Sequence, residues 1–159
     1  MTPVNHEDFA RRIETIRKKL YKTAFLYLGN ETFALDAVDE AVYKALCSYK
    51  KLRDVEYFDT WITRILINEC YNEQRRQKRF GRFEELPETA EEEFDSLPLK
   101  EAIKKLPSEL KEIIILRYFT GYTLVETAEL LKIPQGTAAT RQRKALKLLK
   151  LELGEEVSE

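Results

Sequence analysis

The sequence predicts an all-α protein built as two small helical domains joined by a flexible acidic linker. Three observations carry this. Apolar residues recur three and four positions apart through most of the chain, the spacing that lines one face of a helix. Only five Gly and five Pro occur in 159 residues, too few for a turn-rich β-sandwich. The periodicity breaks over residues 84–97 (EELPETAEEEFDSL), where Pro87 and seven acids leave little that could be buried.

The elements follow in order. Asp8–Leu28 carries Phe9, Ile13, Ile16, Leu20, Ala24, Tyr27 and Leu28 on one stripe, and Gly29-Asn30 ends it. A second helix is predicted over Glu31–Tyr49, with Ala34, Val38, Ala41, Val42, Ala45 and Leu46 inward and Asp36, Asp39 and Glu40 outward. Lys50–Phe58 reads as a polar loop. Asp59 reads as the N-cap of a third helix through about Arg79, which ends in the run EQRRQKRFGR. After the linker, Leu99–Lys105 resumes a helical pattern. Ser108 reads as the cap of a helix whose apolar face is Ile113, Ile114, Leu116 and Tyr118, up to Gly121. The expected divisions are 1–83 for the N-terminal domain, 84–98 for the linker, 99–153 for the C-terminal domain and 154–159 for a tail. Domains this small bury only about 60% of their unfolded surface, so each is modestly stable.

Residues 123–150, TLVETAELLKIPQGTAATRQRKALKLLK, are the most informative stretch. They read as two helices joined by a tight turn, the arrangement that sets a short cationic helix into the DNA major groove. Thr123 and Glu126 form a capping box at the start of the first helix. Leu124, Ala128 and Leu131 line one of its faces, and Ala128 is small where two crossing helices need close approach. Ile133-Pro134 marks the turn, and Lys132 stands there where Gly would adopt a left-handed backbone at less cost. Gly136-Thr137 opens the second helix. Ala138, Ala145, Leu146 and Leu149 supply its inner face, and Arg141, Arg143, Lys144, Lys147 and Lys150 its cations. The bland alternative is an amphipathic hairpin with a solvated charged face.

The formal net charge of −1 hides a pattern. Residues 1–83 carry a net +4, residues 84–99 a net −7 and residues 100–159 a net +2. Bases cluster at Arg75–Arg82 and Arg141–Lys150, with the acids between. Screening cuts fields off within about 8–10 Å in physiological salt, so phosphate attraction follows the clusters rather than the total. No stretch approaches the roughly 20 apolar residues of a membrane span. The N-terminus, MTPVNHEDFARR, lacks a signal peptide's apolar core, so a cytoplasmic protein is expected. Cys47 and Cys70 match no metal spacing and read as buried thiols. No metal, cofactor or small-molecule substrate is expected. An enzyme, such as a nuclease using the linker carboxylates, lacks a His partner, a Gly-rich phosphate loop or a metal-ligand set.

LYKTAFLYLGN, ALDAVDEAVYKAL and FDTWITRILINECYNEQRR look like the region 2 blocks of the extracytoplasmic-function (group 4) sigma factors of bacterial RNA polymerase. LPSELKEIIILRYFTGYTLVETAELLKIPQGTAATRQRKAL looks like their region 4, with LP-x-x-L-K-x-x-x-x-L and G-T-x-x-x-R its most telling parts. The resemblance covers roughly residues 10–151, with both blocks in the family's order. It implies a non-enzymatic promoter-specificity subunit of the sigma-70 family. Such a protein binds core RNA polymerase, reads the −10 and −35 elements of promoter DNA and directs transcription initiation.

The resemblance also implies sites. Ser48, Leu52, Ile65 and Asn68 would line the pocket for an extruded −10 base, under the Lys50–Phe58 loop. Asn68 offers both donor and acceptor. Trp61 is a candidate for stacking on DNA or for the core, the core being the commoner role of a lone Trp on an apolar helix side. Arg75, Arg76, Lys78 and Arg79 would follow the duplex backbone. Asp36, Asp39, Glu40 and Tyr43 would face the clamp helices of the β′ subunit, although the family usually has Gln in place of Asp39. In the C-terminal motif, Ala139, Thr140, Arg143 and Lys144 would face −35 base edges, and Thr137, Arg141 and Lys147 would hold phosphates. Gln142 stands where Leu is commoner, and Ala139 where a basic residue is common. The helix Ile113–Tyr118 would help receive the β flap. Chains of this family are commonly held by an anti-sigma factor, often membrane-anchored. The competing reading is a stand-alone helix-turn-helix transcriptional regulator. That would normally dimerise, and no dimer helix is apparent here.

Overall fold

Phe9, Ile13, Ile16, Leu20 and Ala24 are all buried along one face of the first helix, α1 (His6–Leu28). The structure is a computed structural model and describes residues 6–80 and 97–152. The expected acidic linker lies outside the described residues as far as residue 96, as does the expected tail. Among the described residues every regular element is helical. The chain divides into two units, Met1–Pro87 and Glu88–Glu159.

In the first unit Gly29 takes φ +69 and its N–H donates to the Phe25 carbonyl at 2.7 Å, ending α1. Glycine reaches that left-handed conformation at little cost. Asn30 caps α2 (Glu31–Ser48), its Oδ1 accepting from the Phe33 N–H at 2.9 Å. Ala34, Ala37, Val38, Ala41 and Ala45 face inward, and these short side chains let α1 and α3 (Phe58–Arg79) pack closely against α2. Leu46 and Cys47 are exposed, not buried as the sequence suggests. The inward register runs through Ala41 and Ala45, and the next two residues lie roughly 100° and 200° further around the helix. Cys70 is buried as expected. The stretch read as a polar loop holds two 3-10 turns, Tyr49–Lys51 and Val55–Tyr57. Asp59 is not the cap of α3. Tyr57 holds the cap position and the helix opens at the buried Phe58, two residues earlier than an Asp59 cap implies, so Asp59 sits in its first turn, accepting from Lys19 Nζ at 3.2 Å. An acid there complements the positive helix end.

An aromatic cluster closes one end of this unit. Phe9 meets Tyr49 edge-on at 5.1 Å between centroids and Phe58 at 5.9 Å, and Trp61 lies 5.8 Å from Phe58. The Tyr49 hydroxyl donates to Asp8 Oδ2 at 2.5 Å, and Arg12 Nε donates to the same oxygen at 3.2 Å. The Tyr49 bond, then the Arg12 bond, hold the Asp8 carboxyl below its ordinary range. Burial, then the Asp8 carboxylate, push the Tyr49 phenol above its own. A depressed acid adds stability above its ordinary pKa and loses it as pH falls through the lowered one. A raised phenol adds stability below its ordinary pKa and loses it as pH rises through the raised one. Tyr49→Phe is therefore expected to weaken this unit most between those limits and to flatten both the acid and the alkaline limb of its stability curve. Urea midpoints measured against pH check this; a parallel downward shift at every pH would contradict it.

The second unit contains α4 (Leu97–Lys104), α5 (Ser108–Ile114), α6 (Leu124–Leu131) and α7 (Gln135–Glu152). α4 begins at Leu97, inside the segment expected as linker. Ser108 is the first residue of α5 rather than its cap. Pro107 holds the cap position, and its carbonyl accepts from Leu110 and Lys111 at 3.0 and 2.9 Å. α5 runs into a π-helical turn, Ile115–Phe119, where the Thr120 N–H reaches the Ile115 carbonyl at 3.0 Å. Ile113, Ile114, Ile115 and Leu116 are all buried. Tyr118, expected on the apolar face, is instead exposed because the widened turn carries it outward. Gly121, at φ +79, releases the chain. Two apolar clusters hold the unit. Ile103, Leu106, Leu110, Ile114, Ala145 and Leu149 belong to one, and Ile113, Ala128 and Ala138 form the other.

The capping box forms as its residues predict. The Glu126 N–H donates to Thr123 Oγ1 at 3.1 Å and the Thr123 N–H to Glu126 Oε1 at 2.9 Å. Lys132 takes φ 57, ψ 45 in the turn between α6 and α7, which a side chain with a Cβ adopts at a cost of about 1 kcal/mol. Lys132→Gly is accordingly expected to stabilise this unit by about 0.5–1 kcal/mol, part of the gain being offset by the freer unfolded chain. A urea titration that showed a loss instead would mean the lysine side chain makes a compensating contact. α7 starts at Gln135, one residue before the predicted Gly136.

Candidate nucleic-acid interface

The sequence assigns most charge-reading work to α7, and its environment explains why its cations are available. Ala138, Ala145 and Leu149 are buried and hold the helix to its unit through a narrow strip. Arg143, Lys144 and Lys147 are exposed, and no hydrogen bond or ion pair ties them within the described residues. Thr137 and Ala139 are half-buried and Thr140 is exposed, its hydroxyl donating to the Gly136 carbonyl at 3.0 Å. Thr137, Thr140, Arg141 and Lys144 line one groove of about 470 Å³, with Glu109 on its opposite wall. Arg141 is less free than its neighbours, lying 3.6 Å from Glu109. An exposed pair like this contributes about 0–1 kcal/mol, so a phosphate could displace the acid.

Two grooves lie between α2 and α3. The smaller, about 460 Å³, brings together Ser48, Ile65 and Asn68, three of the residues assigned to an extruded base. Asn68 is exposed, and no hydrogen bond within the described residues ties its amide. Leu52, the fourth assigned residue, is half-buried and does not line this groove; Tyr43 and Cys47 do. Trp61 is not in it either. It is half-buried in the aromatic cluster, tilted against Tyr49 at 6.3 Å.

The larger groove, about 770 Å³, has Asp36, Asp39 and Glu40 on its α2 wall and Arg75, Arg76 and Arg79 on its α3 wall. Residues assigned to different partners thus face each other across one channel. Lys44 Nζ reaches Glu69 at 2.6 Å between the walls, and that bond holds Lys44 above the ordinary lysine range. Arg76 pairs with the buried Glu73 at 3.2 Å. Lys78 is exposed and stands outside the groove, and Tyr43 is exposed. Glu69 and Glu73 look like ordinary solvated acids in the sequence; the packing of α3 buries them.

Comparison with known proteins matches both parts of the chain to family models. Residues 12–80 match the family model described as Sigma-70 region 2, and residues 102–151 the one described as Sigma-70, region 4. The chain is 34% identical to RNA polymerase sigma factor SigV of Bacillus subtilis (strain 168) over 145 residues, covering 88% of this chain and 87% of that protein. The chain belongs to the sigma-70 family. Within it the resemblance is to the extracytoplasmic-function group: ECF RNA polymerase sigma factor SigW of Bacillus subtilis (strain 168) is 26% identical, covering 94% of this chain and 90% of its own. The fold is shared with the sigma factor RpoE solved in complex with the anti-sigma factor NepR from Bartonella quintana, at a TM-score of 0.81 and 23% identity, covering 93% of this chain and 98% of that one.

This sigma factor is therefore an initiation factor and not an enzyme. Its region 2 is the α1–α3 unit, and its region 4 spans α5–α7 with the end of α4. Among the described residues no helix is long and apolar enough to cross a membrane.

Proposed function

We propose that this sigma factor recruits core RNA polymerase through the acidic α2 face and reads two promoter elements with separate units. Asp36, Asp39, Glu40 and Tyr43 present acid and an exposed phenol to the clamp helices of β′. Ser48, Ile65 and Asn68 receive an extruded −10 base, and Arg75, Arg76, Lys78 and Arg79 follow the upstream backbone. Bases leave the stack to be read this way because a pocket reads single strands and a groove reads duplex. Thr140, Arg143 and Lys144 face −35 base edges beside Ala139. Thr137, Arg141 and Lys147 hold phosphates at the positive end and flank of α7. Of the helix expected to receive the β flap, residues 113–116 are buried, so that contact falls to the exposed Tyr118 and its turn. The observation that carries the reading is a sparsely anchored α7 whose Arg143, Lys144 and Lys147 are exposed and unbonded among the described residues.

An anti-sigma factor holding the chain until a signal releases it completes the reading. Its support is the likeness in fold to a sigma factor solved with such a partner. Run-off transcription with core enzyme and a random promoter pool tests the function. The chain should select promoters sharing two spaced elements while binding duplex DNA weakly alone. No selection from the pool, or a tight palindromic footprint by the free protein, would refute it.

A further inference from the structure

The inner seam of α7 runs Ala138, Gln142, Ala145 and Leu149. Three of the four are apolar and buried, and Gln142, half-buried, is the polar exception. Its Oε1 accepts from Arg117 Nε at 2.8 Å. Arg117 Nη1 donates to the Tyr122 carbonyl at 2.9 Å, and the guanidinium lies over the Tyr118 ring, 5.4 Å from its centroid. One rigid, planar group therefore joins α7 both to the π-helical turn and to the segment leading into α6. Its N–H groups have fixed directions, so the bonds persist in only one rotation of α7.

A polar pair in such a seam stabilises little more than two packed apolar side chains would, and the best-attested use of one is to fix register. Near the reading residues the seam offers little direction, since Leu149, and Leu146 beside it, pack only in the C-terminal half of α7. Ala138 and Ala145 carry single methyl groups, which hold a helix close without fixing its rotation. Gln142 is flanked in sequence by Arg141 and Arg143, so its placement orients its neighbours. A slip of one position would swing every side chain of α7 by about 100°.

We propose that Arg117 is a positioning residue for −35 reading: through Gln142 it sets the rotation of α7, and so decides which base edges Thr140, Arg143 and Lys144 reach. This rests on the assignment of those three residues to the −35 element. Arg117 itself touches no base.

The test uses the full chain with core RNA polymerase and a promoter library randomised at −35 with a constant −10 element. The double variant Arg117→Met with Gln142→Leu replaces the polar pair by apolar side chains. Its unfolding midpoint should equal or exceed the parent's, while its preference for the best −35 sequence over single mismatches falls about fivefold or more, the size of one base contact. Gln142→Glu keeps an acceptor for Arg117 and should keep the preference. Arg143→Ala is run alongside. If Arg143→Ala alters the preference and the folded double variant does not, the positioning role is overturned and the base-reading assignment survives. If neither alters it, both fall. Should the double variant not fold, Arg117→Lys replaces it, since an ammonium cannot hold both acceptors in one plane; an unchanged preference there overturns the proposal equally.

Discussion

Arg143→Ala with Lys144→Ala is expected to abolish −35-dependent transcription and to leave the fold intact. Each side chain is exposed, and neither makes an intramolecular bond among the described residues, so removing both takes nothing from the core. Surface changes of this kind usually shift stability by no more than about 0.5 kcal/mol. On DNA the balance reverses. A good contact to guanine O6 and N7 is worth about 1–3 kcal/mol of discrimination, and two lost together come to roughly 2–6 kcal/mol. Initiation from the preferred promoter should fall at least about thirtyfold, and that promoter should lose its advantage over one with a scrambled −35 element. The control is Lys147→Ala. As a phosphate contact it should weaken all promoters alike and lower the salt dependence by about one counterion. If the double alanine protein still distinguished the two promoters, α7 would not be the −35 reader.

What sequence reasoning reaches here is what is local. The capping box of Thr123 and Glu126 forms because both partners lie within one turn, and no distant residue has a say. The α1 stripe holds for the same reason, since a 23-residue helix samples its own periodicity many times over. Failures come where a neighbouring element sets the register. Leu46 and Cys47 are apolar enough for a core, but α2 turns its alanines inward and leaves them outside. Tyr118 fits the α5 stripe only if the helix stays α, and the π-helical turn removes that condition. The aromatic cluster joins Phe9 to Tyr49, Phe58 and Trp61 across wide gaps in sequence, which no window of periodicity spans. The same limit applies to the site. The cations of α7 were legible as a run, and so were the acids of α2. That Asp36, Asp39 and Glu40 share a groove with Arg75, Arg76 and Arg79 required the fold. Arg117 left one trace in sequence: a glutamine in an otherwise apolar seam needs a partner.

Ile113→Ala is expected to have the largest effect on stability, and to confine it to one unit. Ile113 is fully buried between Ala128 and Ala138, where α5, α6 and α7 meet. Those alanines cannot reach into the space left behind, because a methyl group has no rotamer to swing, and Leu124, Leu131 and Ile133, which pack against the cluster, can fill it only in part. The cavity should persist, and losses of about 2–5 kcal/mol accompany such truncations. A unit of this size carries only roughly 3–8 kcal/mol in total, so much of its population should unfold at physiological temperature. The α1–α3 unit has its own core, to which Ile113 does not belong. Amide hydrogen exchange should then show protection lost across α5–α7 and kept across α1–α3. Uniform loss over both would mean that the two units unfold as one cooperative body. Uniform retention would mean that the seam closes after all, through movement of α6 toward α5. The functional consequence separates stability from recognition. Variants of Arg143 and Lys144 should fail at every temperature, whereas Ile113→Ala should recover −35 selection on cooling, because its reading surface is intact whenever the unit is folded.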